Sequence, residues 1–372
     1  MQRQIRVCHM TSAHESTDIR IFQKECVSLA QTRKFDVYLV SKGSSREEKN
    51  VHVIGLGTSS GRIMRMFTFS KKVYKEALSI DADIYHFHDP ELLPYARKLK
   101  KKGKIVFFDS HEDTSQQIMI KEYIPKALRK IISKLYYNYE TKICMEIDGV
   151  IFPCPVNGRH PFAGRANKQI YINNYPIIEQ EYNEKNVNKA KSCYVGSLSE
   201  KRGVTTLLEA YKKFNDVATL VIAGKFETEE YKCFLDKNGL LESVDYRGIC
   251  NREQVNQIYK ESIIGISNLH NVGQYPKLDT FPTKVYEYMS QGLAVIVSDY
   301  PYSRKVIEKE KVGFCADPEN PEDIARVVRI LLSDRNNLLR MGKRGAELVK
   351  NYFNWYKEYE KLEFLYNETL NN

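Results

Sequence analysis

Twice along this chain, short runs rich in Val, Ile and Phe alternate with segments of helical periodicity. The first series is "IRVCHM" (5–10), "DVYLVS" (36–41), "VHVIGLG" (51–57), "DIYHFHD" (83–89), "KIVFFDSH" (104–111) and "GVIFP" (149–153). The second is "SCYVGS" (192–197), "TLVIAG" (219–224), "VDYRG" (244–248), "IIGISN" (263–268), "AVIVSD" (294–299) and "GFCAD" (313–317). Such runs are strands buried on both faces, and helical patterns between them, as at 20–32, 62–79, 91–102 and 126–144, predict parallel sheets covered by helices. Two doubly wound domains follow, and 372 residues are enough for both.

The polar stretch "IIEQEYNEKNVNKAKS" (177–192) separates the series and reads as a linker. The expected organisation is a domain over 1–178, a linker at 179–192, a second domain over 193–351, and a C-terminal helix at 352–372 that packs back on the first domain. Ligands of doubly wound sheets sit beyond the carboxyl ends of the strands, here expected in a cleft between the domains.

The net charge of +10 and pI near 9.0 imply an anionic partner: nucleic acid, an anionic membrane surface or a phosphorylated small molecule. The eight cysteines form no C-x-x-C pair, which fits reduced thiols. No apolar run approaches the roughly 20 residues that span a bilayer, and "MQRQIRVCHM" lacks a signal-type apolar core. The expected location is cytoplasmic, with room for peripheral attachment to the inner face of a membrane.

The segment "DTFPTKVYEYMSQGLAVIVSDY" (279–300) carries the densest chemistry. Asp279 precedes Glu287, which is read as opening a short helix that ends at Gly292. A carboxylate there can accept two hydrogen bonds from a sugar diol, and a helix start offers N–H groups and a positive dipole end to a phosphate. Lys284, one turn earlier, can face the same ligand. An exposed helix carboxylate is the ordinary alternative for Glu287. In "CYVGSLSEKRGVTTLLEAY" (193–211), a turn with Gly196, Arg202 and Gly203 joins a strand to a helix and can approach a diphosphate closely; alone it would also pass for an ordinary strand-to-helix loop.

These segments, with "LVIAG", "YRG" and "VGFCADPENPEDIARVVRILL", resemble the retaining glycosyltransferases of the GT-B fold, family four (glycosyl transferases group one). "HESTDIRIFQKECVSLA" (14–30), "DIYHFHDPELLP" (83–94) and "FFDSHED" (107–113) resemble a subgroup of that family. The chain departs in two places: Asp279 stands where the family usually has Glu, and Ser197 where it usually has Arg. Arg202 matches the family's usual Lys.

The resemblance implies two Rossmann-like domains facing a central cleft. It implies a metal-independent enzyme that moves a sugar from a nucleotide diphosphate, most readily UDP, to a hydroxyl of a glycan or lipid-linked saccharide. Attack on the same face uses the departing phosphate oxygen as base. Asp279, His111, Arg202 and Lys284 are then the expected catalytic group. Glu287, Gly196, Ser197, Gly248, Thr280, Phe281 and Thr283 are expected to bind the donor, with Glu287 on the ribose hydroxyls. His14, Asp18 and Arg20 are expected on the acceptor side, although a helix cap at Ser16 or Thr17 would account for Asp18 without a ligand. No cofactor and no metal are expected.

Other patterns fail on spacing. "GLGTSSG" (55–61) has its third glycine one place late for a dinucleotide loop. "DAD" (81–83) precedes its strand where a metal-binding pair would follow it. In "HFHDPE" (86–91), Asp89 is one place early for a metallohydrolase. The segment 121–142 has Leu128, Ile131, Ile132, Leu135, Tyr136 and Tyr139 at helical spacing, with Lys126, Arg129, Lys130 and Lys134 mostly elsewhere on the wheel. An α/β domain needs most of such a stripe against its sheet, whereas a basic amphipathic helix can lie on an anionic membrane, with 62–75 extending that surface. Two other function classes compete: a sugar-nucleotide epimerase on a similar scaffold, and a basic nucleic-acid-binding protein. No recognised nucleic-acid module is present, so no nucleic-acid partner is expected.

Overall fold

The computed structural model describes residues 3–58, 61–121, 123–178, 182 and 190–371, without the side chains of 62 and 63. Of the linker expected at 179–192, residues 179–181 and 183–189 lie outside the described residues. The chain divides into two compact units, Met1–Asn174 with Trp355–Asn372, and Tyr175–Asn354.

The first unit holds β1 (Ile5–Glu15), β2 (Phe35–Lys42), β3 (Arg46–Glu48), β4 (Val51–Gly55), β5 (Ile84–Phe87), β6 (Ile105–Asp109), β7 (Gly149–Phe152) and β8 (Gln169–Tyr171). Their order is β3-β4-β2-β1-β5-β6-β7-β8, parallel except for β3 against β4. β3 and β8 have three residues each, too few to show a periodicity in sequence. The order reverses direction at β1, between β2 and β5, and ligands of such sheets gather beyond the strand ends at that point. The β1–β2 register shifts between Met10 and Glu15. That irregularity lets Asp89 Oδ2, just past β5, accept from Thr11 Oγ1 at 2.7 Å, Ser12 N–H at 2.6 Å and Ala13 N–H at 3.1 Å.

The terminal helix Trp355–Leu370 belongs to this unit. Trp355 and Tyr366 on it are buried, while Tyr356 and Phe364 are exposed: Trp355 Nε1 donates to Ser28 Oγ at 2.8 Å, and Tyr366 stacks on Phe107 with ring centres 5.3 Å apart. The helix Lys126–Cys144 departs from what an α/β sheet requires. Leu128, Ile131, Ile132, Leu135 and Tyr139 are exposed, so most of the apolar stripe does not pack on the sheet. Burial is confined to the C-terminal end, at Glu140, Ile143 and Cys144.

The second unit has β9 (Lys191–Val195), β10 (Thr219–Ala223), β11 (Asp245–Tyr246), β12 (Ile264–Ser267), β13 (Ala294–Ser298) and β14 (Gly313–Ala316). The sheet is wholly parallel, in the order β11-β10-β9-β12-β13-β14, with its reversal at β9. The helix Thr283–Ser290 buries Val285, Tyr286, Tyr288 and Met289. Tyr288 Oη accepts the Val195 N–H at 2.9 Å, which fixes the helix to the end of β9. Glu287 lies one turn into this helix rather than opening it, because Pro282 precedes the first turn and Thr283 begins it.

Candidate active site

At the end of β9 in the second unit, Gly196 has φ +136°, and a Cβ there would lie 3.1 Å from Lys284 Nζ. Only glycine takes that backbone without strain and leaves the ammonium its space. Lys284 is buried, and its Nζ stands 3.5 Å from the centre of the Tyr194 ring with no hydrogen-bond partner among the described residues. Burial, then the nearby Arg202 charge, push its pKa well below the usual lysine value. Arg202 is half-buried and forms no ion pair among the described residues. It is set by Gly203 at φ +68°, where a Cβ would come within 2.0 Å of the Asn268 carbonyl oxygen. Two neighbouring cations, Arg202 past the end of β9 and Lys284 on the first turn of the helix Thr283–Ser290, whose start no side chain caps, form a site for a dense anion.

Glu287 is half-buried and already engaged. Its Oε1 accepts from Arg252 Nη1 at 2.9 Å and its Oε2 from Tyr259 Oη at 2.8 Å. Each oxygen keeps a further lone pair for a ligand hydroxyl. Arg252 and Tyr259 were not singled out from sequence; they lie 35 and 28 residues from Glu287 with no local pattern joining them.

The other expected donor residues are less uniform. Ser197 is exposed, and its carbonyl accepts from Tyr194 Oη at 2.9 Å. Gly248 gives its carbonyl to Gly224 N–H at 2.7 Å. Thr283 is exposed on the first turn of its helix, and Asp279 is half-buried before it. Thr280 and Phe281 instead line a small cavity of about 30 Å³ with Tyr300 and Tyr302. The Phe281 N–H donates to Tyr286 Oη at 3.2 Å, so it is not left open to a phosphate.

The first unit gathers its own polar cluster beyond β1, β5 and β6. Arg20, expected to face an acceptor, is buried and occupied: Nε and Nη2 donate to Asp109 at 2.7 and 2.9 Å, and Nη1 donates to the Ile172 carbonyl at 2.9 Å. Asp18 is itself the helix cap, in place of Ser16 or Thr17, and accepts from the N–H groups of Arg20 and Ile21 at 2.8 and 2.9 Å. Its other oxygen lies 3.3 Å from His14 Nδ1, and His14 Nε2 lies 3.5 Å from Asp89 Oδ1. Burial opposes charge on His14, but the Asp18 contact and the Asp89, Asp18 and Asp109 charges outweigh it and raise its pKa. His111 lines a cavity of about 270 Å³ with Asp18, Ile19, Arg20, Pro153 and Asn174.

Behind His111 lies a group that sequence reading passed over. His88 Nδ1 is 3.3 Å from His111 Nε2, and both approach Asp109 Oδ2, at 3.4 and 3.2 Å. His9 Nδ1 meets His88 Nε2 at 3.0 Å, and His86 Nδ1 meets Tyr366 Oη at 2.6 Å. Burial opposes ionisation of Asp109, yet the Arg20 and His111 charges hold it well below the usual carboxylate range. Glu25 is driven the other way, by burial and then by the Asp109 charge. Burial pushes His88 down to about 4, and His9 and His86 well below the ordinary histidine value. Two sets, His9–Glu25–His86–His88 and His88–Asp109–His111, have metal-ligating atoms within 4.8 Å of one another. The one legible signal was "HFHDPE", set aside because Asp89 is one place early for a metallohydrolase; the other members of the group are remote in sequence.

Residues 178–348 match the model of the glycosyl transferases group 1 family. An uncharacterized glycosyltransferase of Methanocaldococcus jannaschii is 28% identical over 192 residues, 50% of this chain and 47% of its own length. Spore coat protein SA of Bacillus subtilis is 27% identical over 184 residues, 46% of this chain and 47% of its own. The match thus spans about half the length of these curated relatives. Among solved structures, sucrose-phosphate synthase of Thermosynechococcus elongatus superposes with a TM-score of 0.77 at 16% identity, covering 99% of each chain. Anabaena HepE in complex with UDP and glucose gives 0.73 at 12% identity, covering 99% of this chain and 100% of its own. These likenesses establish the fold class, GT-B with two Rossmann-like domains and C-terminal helices.

Proposed function

Residues 178–348 form a glycosyl transferases group 1 domain, and from that premise we propose that the chain is a retaining glycosyltransferase using a nucleotide diphosphate sugar, with UDP as the carrier. The observation that carries this reading is Lys284, a buried ammonium that, among the described residues, has no hydrogen-bond acceptor and lies beside an Arg202 that forms no ion pair. A buried cation is costly until an anion meets it, and a diphosphate supplies that charge. Glu287 would take the ribose hydroxyls, and Asp279 hydroxyls of the donor sugar.

In the proposed step the bond from the anomeric carbon to the diphosphate oxygen breaks. The new bond to the acceptor oxygen forms on the same face, and the acceptor proton passes to the departing phosphate oxygen. Lys284, Arg202 and the start of the helix Thr283–Ser290 stabilise the charge that grows on the diphosphate, as preorganised donors aimed at a leaving group. No metal is assigned to that step, since these cations supply the counter-charge.

The proposed acceptor is a glycan or lipid-linked saccharide hydroxyl in cell-surface polysaccharide or glycoconjugate synthesis. Support comes from the helix Lys126–Cys144, where Leu128, Ile131 and Leu135 are exposed alongside Lys126, Lys130 and Lys134. That combination suits the inner face of an anionic membrane.

A thermal-shift screen of UDP-, GDP- and ADP-sugars tests the donor reading, because a ligand at a hundred times its Kd stabilises by about 2.7 kcal/mol. We expect UDP-sugars to raise the melting temperature. No response to any nucleotide sugar, at millimolar concentration, would sink it.

A further inference from the structure

We propose that His88, Asp109 and His111 form a binding site for one divalent transition-metal ion, with zinc the best fit and a fourth coordination position left for a water or a ligand hydroxyl.

The sheet brings the three side chains together. His86 on β5 pairs with Phe107 on β6, so His88 and Asp109, each two residues further, reach the same face at the carboxyl ends of neighbouring strands. His111 follows Asp109 by two residues. His88 Nδ1 lies 3.3 Å from His111 Nε2, and Asp109 Oδ2 lies 3.2 Å from His111 Nε2 and 3.4 Å from His88 Nδ1. Ligand atoms about 2.0–2.1 Å from a tetrahedral zinc ion are about 3.3–3.4 Å apart. The triangle therefore has the size of one face of such a coordination shell. Hydrogen bonding does not account for it. The His88–His111 edge is the one hydrogen bond among the three, and neither ring nitrogen bonds the carboxylate it faces. Two imidazoles and a carboxylate are a donor set for zinc and for ferrous iron.

Outer partners stand behind the ligands. Arg20 Nε and Nη2 hold the two Asp109 oxygens at 2.7 and 2.9 Å, and His9 Nδ1 meets the other ring nitrogen of His88, Nε2, at 3.0 Å. Such partners fix the orientation of metal ligands. Glu25 lies on the same side, with Oε2 3.8 Å from His88 Nε2 and Oε1 3.2 Å from Arg20 Nε. Both Glu25 oxygens are buried and have no hydrogen-bond partner among the described residues. Two buried carboxylates, Asp109 and Glu25, stand against one buried guanidinium, and a divalent ion supplies the missing positive charge.

His88 and Asp109 are buried, whereas the His111 side chain is 21% exposed and lines the cavity of about 270 Å³. Three protein ligands with one open position are the arrangement of zinc sites that act on a bound molecule. Under the glycosyltransferase reading a saccharide hydroxyl takes that position from the cavity; the ion site itself does not depend on that reading. The ion is not the counter-charge of the diphosphate, which falls to Lys284 and Arg202.

The test is calorimetric titration of Zn²⁺ into the chelator-treated 372-residue chain, without nucleotide or saccharide. We expect one strong site per chain, and Co²⁺ in its place should show the intense visible absorption of a four-coordinate ion. His111→Ala removes the ligand at the cavity edge, where loss of the ring disturbs the core least. It should weaken zinc binding beyond the roughly 10–100-fold that loss of an outer partner costs. His86→Gln changes a residue outside the ligand set and should leave the affinity within about tenfold of the parent's. Circular dichroism checks that both variants are folded. No strong site up to millimolar Zn²⁺, or a site that His111→Ala leaves intact, would overturn the proposal. Loss in His86→Gln without loss in His111→Ala would also overturn it, by placing the ion among His9, Glu25, His86 and His88. Binding is read without a donor, so a failed nucleotide-sugar screen would leave this result standing, and absence of zinc binding would leave the donor site standing.

Discussion

Lys284 Nζ sits 3.5 Å from the centre of the Tyr194 ring and has no hydrogen-bond acceptor among the described residues. A ring face offers an ammonium about 0.5–2 kcal/mol. Removing the ion from water costs several kcal/mol. The donor-free protein therefore bears an uncompensated cost at this lysine, and an arriving diphosphate relieves it. Lys284→Met keeps the stem and drops the charge. We expect the variant without nucleotide to be more stable by about 1–3 kcal/mol in urea unfolding. Its affinity for UDP should fall by at least about tenfold in calorimetric titration. A variant less stable than the parent, or one binding UDP as tightly, would show that Lys284 is not held for an anion.

Glu287 offers both carboxylate oxygens, each steadied by one protein donor, Arg252 or Tyr259. A ribose diol adds two hydrogen bonds to a charged group, worth about 1.5–3 kcal/mol each. Glu287→Ala should then lower kcat/KM for the donor by roughly a hundredfold or more. Circular dichroism should remain that of the parent. Near-parental transfer in a folded variant would remove Glu287 from the site.

Asp279 is one methylene shorter than the glutamate its position resembles. Asp279→Glu should change the ranking of donor sugars in a hydrolysis or transfer assay while leaving UDP affinity alone, because UDP lacks the sugar this residue is proposed to touch. A shift in UDP affinity with unchanged sugar ranking would place Asp279 on the nucleotide instead.

The alternation of apolar runs was enough to read twelve of the fourteen strands among the described residues; β3 and β8 were missed because three residues carry no period. The pair Lys284–Arg202 was legible for a similar reason, since each sits at a strand end or helix start whose local grammar is visible. The network behind His111 was not. Its members come from β1, from the helical segment after it, and from the ends of β5 and β6, joined only by the sheet order β1-β5-β6. Spacing of 9, 25, 88, 109 and 111 along the chain has no motif. Arg20 shows the converse: it was expected on the acceptor side, and its guanidinium is occupied by two bonds to Asp109 that no local pattern announces. The helix Lys126–Cys144 shows the limit of periodicity itself, which reports an apolar face without saying what covers it.

Acid should weaken the first unit through His88. Its folded pKa is depressed to about 4 by burial, below the ordinary histidine value of 6.5. The unfolded chain binds the proton more readily, so stability is full above pH 6.5 and is lost as pH falls toward 4. The size is roughly 3 kcal/mol for a shift of this kind. Asp109, depressed in the same cluster, would add to the loss only below the usual carboxylate range. His88→Gln should cost stability at pH 7.5 but lose less than the parent between pH 7 and pH 4.5, read by urea midpoints. Parallel pH curves for parent and variant would exclude His88 as the source.

The exposed stripe Leu128–Ile131–Leu135, flanked by Lys126, Lys130 and Lys134, makes the membrane proposal testable by two separate variants. The 372-residue chain should float with vesicles containing phosphatidylglycerol at low salt, and less so as salt rises, since surface charges are screened. Each lysine near an anionic surface is worth about 1 kcal/mol. Lys130→Glu with Lys134→Glu should therefore lower vesicle affinity by roughly thirtyfold or more. Ile131→Glu with Leu135→Glu should lower it at every salt concentration, because apolar burial in the interface is lost. Both pairs lie on a helix that contributes no residue to the donor site, so the thermal response to nucleotide sugars should stay parental. Charge reversal without effect, together with loss in the apolar pair, would point to a protein partner covering the stripe. No flotation of the parent protein at low salt would exclude the membrane.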